Sequence, residues 1–175
     1  RPALTAAARA VPASSKSAAA VEALGALGGP ASQQALVELA SDSFPGATRQ
    51  AAVTALARSF PAAGAQAAVA LSASSDDTTD VDPAAVVEAF MSRQGGTAAL
   101  ARALADKKLP PDTAKLMLRT ARSSAKPDEA LVAALRTSGG LEASTRPATA
   151  EEVQAIAAEV KASGNAARGE AIFHR

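Results

Sequence analysis

Three groups of residues in this 175-residue chain have types and spacings that chemistry can use. Ser123 and Lys126 stand in S-x-x-K spacing, in which a serine acyl-transferase can use the lysine as base. They lie in R-S-S-A-K-P between two helical stretches, and neither S-D-N nor K-T-G occurs in the chain. A solvated inter-helix turn accounts for them. The second group, S-S-D-D-T-T-D-V-D from Ser74 to Asp82, places Asp76, Asp77, Asp80 and Asp82 within seven positions. A calcium loop of the EF-hand kind also needs a glycine for its sharp turn and a distal glutamate. Both are missing, so mutual repulsion predicts an exposed acidic loop between repeats, with Asp82 capping the helix that follows.

Arginines form the third group. Arg49, Arg58, Arg93, Arg102, Arg119, Arg122 and Arg136 recur on stretches that read as helical, and aligned on one face they would make a ridge for acidic partners or anionic headgroups. The plain reading is the solvated face of amphipathic helices, because acidic residues are interspersed among them. The first six are retained as a candidate interaction surface. No single helix is basic enough to read as an interfacial anchor.

Composition closes off most catalytic designs. His174 is the only histidine and cysteine is absent, which excludes Ser-His-Asp, Cys-His and multi-histidine metal arrangements. No catalytic residue, metal ligand or cofactor-binding residue is assigned, and the chain is expected not to be an enzyme. Net charge is +1 from 18 basic and 17 acidic residues, and only four phenylalanines supply aromatic surface. That is neither the basic stripe nor the stacking platform of a nucleic-acid binder. No apolar run approaches the roughly 18 residues of a membrane span. The chain opens at Arg1 with no signal-peptide pattern, and the expectation is an internal segment of a longer protein.

The elements that would position these residues are helices. Fifty alanines dominate the sequence, and alanine has the highest helix propensity. A cadence of about 32 residues runs through them. A-L-T-A-A-A at Ala3 is followed by A-L-V-E-L-A at Ala35, A-A-V-A-L-S at Ala67, A-L-A-R-A-L at Ala99 and A-L-V-A-A-L at Ala130. A second series interleaves: A-A-V-E-A-L at Ala19, A-A-V-T-A-L at Ala51, A-V-V-E-A-F at Ala85 and, loosely, T-A-K-L-M-L at Thr113. Two interleaved series mean two helices per repeat. One hairpin buries only one face, so Val21, Leu24 and Leu27 need cover from a neighbour carrying Val53, Leu56 and Phe60. The expected fold is all-α, an α-solenoid of four to five antiparallel hairpins with a C-terminal capping helix.

Local chemistry sets the boundaries. Gly28-Gly29, Gly95-Gly96 and Gly139-Gly140 read as helix stops, and Pro30, Pro61, Pro83 and Pro127 as helix openers. Ser32 and Asp82 read as N-caps, and Thr149 with Glu152 as a capping box ahead of Val153, Ile156, Ala157 and Val160. The predicted layout is a half-unit at 2–11, hairpins at about 16–42, 46–74, 83–107 and 111–138, and a capping helix at 149–163. Residues 1–163 then form the solenoid, and 164–175 begin something else.

That remainder reads G-N-A-A-R-G-E-A-I-F-H-R and fits neither series. It resembles the leader helix of c-type cytochrome domains, a "GDxxRGxxxF"-like segment preceding the C-x-x-C-H haem motif, with Gly169 and Phe173 at the packing positions. The resemblance covers about ten residues. C-x-x-C-H itself is absent, so no haem ligand falls in this chain, and the resemblance implies haem c downstream of Arg175. The solenoid is HEAT-like or armadillo-like. A helical repeat running into such a leader resembles large planctomycete proteins, in which a β-propeller, an α-solenoid and a haem domain succeed one another and some of which are described as membrane-coat-like.

Two functions follow as expectations. One is a scaffold or protein-interaction module, membrane-coat-like through the resemblance, whose partners are other proteins or neighbouring domains, with peripheral membrane association. The other is a spacer in a haem-containing electron-transfer protein or dehydrogenase. A regulatory HEAT-like adaptor is a third. The resemblance implies a periplasmic or membrane-associated parent protein, with a cytoplasmic one left open.

Overall fold

The computed structural model describes residues 2–9, 15–73, 81–141 and 149–163, and every regular element among them is a helix. In chain order these are α1 (Pro2–Ala8), α2 (Ser15–Leu27), α3 (Pro30–Leu39), α4 (Gly46–Ser59), α5 (Pro61–Ala73), α6 (Pro83–Met91), α7 (Gly96–Leu104), α8 (Pro111–Arg122), α9 (Glu129–Ser138) and α10 (Ala150–Ser163). The chain divides into two compact units, Arg1–Glu142 and Ala143–Arg175.

In the first unit the short connections fold consecutive helices back on each other. The hairpins are α2/α3, α4/α5, α6/α7 and α8/α9, and α1 packs on α2. Each helix also meets its second neighbour: α2, α4, α6 and α8 succeed one another in one layer, α3, α5, α7 and α9 in the other. This is an all-α helical repeat in two layers, and alternate helices share a direction.

Burial follows the repeat period. In the second layer Leu36, Ala68, Leu100 and Leu131 are all buried, at offsets of 32, 32 and 31 residues by their numbers. In the first layer Val21, Val53 and Val87 are buried, as are Leu24, Leu56 and Phe90. The fourth member differs from the alignment at Thr113. That register would put Lys115 where Val87 is buried, but Lys115 is exposed and pairs with Asp112 at 3.0 Å. Met117, Leu118 and Ala121 take the inward positions instead, 31 residues beyond Val86, Val87 and Phe90. A charged side chain held in water sets the phase of α8 over a weak sequence match.

Asp82 caps α6 by accepting from the Ala84 amide at 2.9 Å. The Thr149 amide donates to Glu152 at 2.8 Å and the Glu152 amide to the Thr149 hydroxyl at 3.3 Å, the reciprocal pair of a capping box. Gly28 and Gly29 turn α2 into α3 with φ of 63° and 78°. Two boundary expectations change. Pro30 opens α3 one turn earlier than a cap at Ser32 would, so Ser32 lies inside the helix, fully buried, with its hydroxyl unpartnered. Pro127 stands before the cap rather than after it, because Asp128 accepts from two amides and starts α9 itself. The helix expected at 149–163 forms as α10 in the second unit, where Val153, Ile156 and Val160 are exposed.

Small residues set the spacing between helices. Phe60 alone separates α4 from α5, which lays the first turn of α5 on the last turn of α4. A Cβ at Gly64 would lie 2.6 Å from the Ala57 nitrogen and 2.8 Å from the Leu56 carbonyl carbon. Both are backbone atoms that cannot step aside. Alanine for glycine inside a helix gains about 1 kcal/mol in propensity, while overpacking costs about 1–3 kcal/mol or more. Contact with backbone places Gly64→Ala at the upper end, so we expect a net destabilisation of about 1–2 kcal/mol. Urea denaturation of the variant tests this, and an unchanged or raised midpoint would contradict the packing.

Candidate functional site

A concavity lies between α2 and α4 on the outside of the first layer. It is an open groove of about 600 Å³. Its depth comes from small side chains: Ala18, Gly25 and Ala26 along α2, and Ala47, Ala51 and Ala55 along α4. The two helices touch at Gly25, where a Cβ would meet the Ala55 Cβ at 3.3 Å, and the Ser59 hydroxyl donates to the Gly25 carbonyl at 2.9 Å. Polar side chains stand on the walls. Glu22 is exposed on α2 and Arg58 is exposed near the C-terminus of α4, with Gln50 and Thr54 half-buried between. Gln50 also accepts from the Asp82 amide at 2.7 Å, so its side chain reaches across to the start of α6. A groove of this volume is in the range that holds ligands or a side-chain ridge.

The arginines expected to form a ridge are distributed over both layers. Arg49 and Arg58 are on α4 and Arg119 and Arg122 on α8, all in the first layer. Arg102 is on α7 and Arg136 on α9 in the second layer, and Arg93 is in the turn between α6 and α7. Arg49 is largely buried and pairs with Asp42. The Arg102 Nε donates to the Ala98 carbonyl at 3.2 Å on its own helix. Arg119 and Arg122 share the exposed face of α8, and Arg58 alone among the six lines the groove.

Polar ties cross the repeat boundaries. The Arg9 guanidinium donates to Glu38 at 2.6 Å, fixing the end of α1 to α3. The Thr97 hydroxyl at the start of α7 donates to Asp128 Oδ2 at 2.6 Å. Asp128 Oδ1 accepts from the Ala130 and Leu131 amides at 3.0 and 3.2 Å, so one carboxylate caps α9 and joins it to the preceding repeat. The Thr97 hydroxyl first, then the Leu131 amide, hold this carboxyl below the usual carboxylate range. Partial burial opposes them, and the Ala130 amide assists.

The Ser123 hydroxyl donates to the Thr120 carbonyl at 2.8 Å and not toward Lys126. The S-x-x-K spacing therefore produces a helix end and a turn. Among the described residues no three histidine, cysteine, aspartate or glutamate side chains gather as metal ligands. The acidic segment 74–80, and Gly169, Phe173 and His174 of the tail, lie outside the described residues. Comparison with protein-family models, with curated proteins and with solved structures finds no match.

Sequence reading named Arg58 but missed Glu22, Gln50 and Thr54. The available signal was the four-residue spacing of Ala47, Ala51 and Ala55, which marks one face of α4. Which neighbour faces that stripe depends on tertiary packing.

Asp128 supplies a test with a defined pH sign. Its folded pKa lies below its unfolded value, so its contribution is complete above the unfolded pKa of about 4 and disappears as pH falls through the folded value. Asp128→Ala should cost about 1 kcal/mol at pH 7 through the lost cap. The gap between wild type and variant should close below pH 4. Denaturant melts at pH 7, 5, 4 and 3 measure it, and a gap independent of pH would refute the tie.

Proposed function

We propose that this chain is a non-catalytic α-solenoid module, HEAT-like in character, that scaffolds and binds protein partners within a larger multidomain protein. The observation that carries this reading is the groove between α2 and α4: a repeat built from small residues presents an open, mixed-charge concavity on a layer of packed helices. Stacked repeats bury one continuous core and leave extended surfaces free for partners. Among the described residues no helix is long and apolar enough to cross a membrane. The membrane connection we propose is peripheral and made by the parent protein, in a coat-like assembly of the kind the sequence resemblance suggests, in the periplasm or at a membrane. Deleting residues 16–138 from the full-length protein should abolish partner capture in pull-downs and reduce co-sedimentation with liposomes. Unchanged behaviour in both assays would overturn the scaffold reading.

A second reading is supported by the segment G-N-A-A-R-G-E-A-I-F, with Gly169 and Phe173 at the positions of a cytochrome leader. In that reading the helical repeat is a spacer that holds a haem c domain in an electron-transfer protein or dehydrogenase. A longer version extending past Arg175 should then carry C-x-x-C-H, the haem attachment motif, downstream of the leader, and show a Soret band. A longer version with neither would eliminate the haem reading.

A further inference from the structure

The charges on the groove walls narrow what can lie there. α2 and α4 run in the same direction, in register where Gly25 meets Ala55. Glu22 stands three residues before Gly25 on one wall, and Arg58 three residues after Ala55 on the other. At 1.5 Å per residue the two charges are separated along the groove by about 9 Å. They belong to opposite walls and do not pair with each other. The walls are 13 and 14 residues long, or about 20 Å. Between them the least exposed apolar lining residues are Val21, Gly25, Ala51 and Ala55, small enough in side chain for another helix to approach closely.

The geometry points to a docking site for one amphipathic helix of a partner protein, lying antiparallel to α2 and α4. This rests on the protein-interaction reading above and specifies the partner. Its buried stripe carries small apolar residues, alanine or valine, to match these small lining residues. An acid in its N-terminal half faces Arg58, and a base about six residues later, on the other flank of the stripe, faces Glu22. Antiparallel placement aligns the partner's dipole against those of the two wall helices and puts its acid near its own N-terminus, where the dipole favours it. A partner running the other way would need the base first. A helix acidic on both flanks, or basic on both, would meet one like charge on a wall. The adjoining valley differs, since the Gln50 side chain spans from α4 to the Asp82 amide and bridges it.

The test uses the 175-residue chain and synthetic sixteen-residue helical peptides with an alanine–valine stripe. One peptide has glutamate before lysine, one has the reverse order, one has glutamate at both positions and one has lysine at both. Fluorescence anisotropy should rank the glutamate-before-lysine peptide tightest, by about three- to fivefold over the others. Glu22→Lys should make the double-glutamate peptide the best ligand, and Arg58→Glu should do the same for the double-lysine peptide. Both residues are exposed, and circular dichroism checks that the variants stay folded. Absence of binding by every peptide, or rankings unmoved by the two charge reversals, overturns the proposal. If partner capture in the deletion experiment is meanwhile intact for the undeleted protein, the scaffold reading stands and binding uses another face.

Discussion

A helical hairpin made largely of alanine cannot bury enough surface by itself, and the arrangement of the first unit follows from that shortage. Burying a valine or leucine side chain is worth about 1.5–3 kcal/mol, whereas alanine contributes far less. Each hairpin therefore depends on its neighbours to cover the few larger side chains it has. Leu24, Leu56 and Phe90 are fully buried in consecutive helices of one layer, and Leu36, Leu100 and Leu131 in the other. Such a core is continuous across repeats and has no natural stopping point within one hairpin. The same shortage explains the close approach of the helices. With little volume per side chain, backbones must come nearly into contact for the interior to reach normal density. Gly64 against the α4 backbone and Gly25 against Ala55 are where that happens.

Close packing of small residues gives little directional information, because alanine faces are nearly interchangeable. Polar ties at repeat boundaries supply what the apolar contacts lack. Gln50 to the Asp82 amide, Thr97 to Asp128 and Ser59 to the Gly25 carbonyl each link residues 31 to 34 positions apart. Each has defined donor geometry, so a slip of one residue between neighbouring helices would break it. Asp128 shows how economical the device is: one carboxylate caps α9 and fixes α9 to α7.

The fold was legible in the sequence to the extent that burial is periodic. The second-layer helices keep their register because leucine or alanine recurs at the inward positions Leu36, Ala68, Leu100 and Leu131. The first layer was readable through Phe90 and then lost register at α8, where Lys115 and Asp112 interrupt the apolar pattern. Caps formed by Asp82 and Thr149 were legible because their chemistry is local to three or four residues. Ser32 misled for a related reason: its type suits a cap, but Pro30 had already started the helix. The groove was not legible. Its walls come from separate helices whose facing residues, Gly25 and Ala55, are thirty positions apart by their numbers, and alanines at exposed and buried positions look alike in a sequence that contains fifty of them.

Distribution of charge around the repeat bears on which surface can discriminate between partners. Arg119 and Arg122 are exposed on α8, and exposed charges of this kind contribute little selectivity because water and salt screen them. Arg49 is removed from consideration by its pairing with Asp42 and its burial. Glu22 and Arg58 are different in position rather than in strength. They flank an alanine-rich lining that an incoming helix would dry, and a charge at the edge of a desolvated contact interacts in a lower effective dielectric than one on an open face. An alanine-rich repeat has few large side chains with which to select a partner by shape. Two opposite charges on the walls of one groove are therefore the feature best placed to select by orientation.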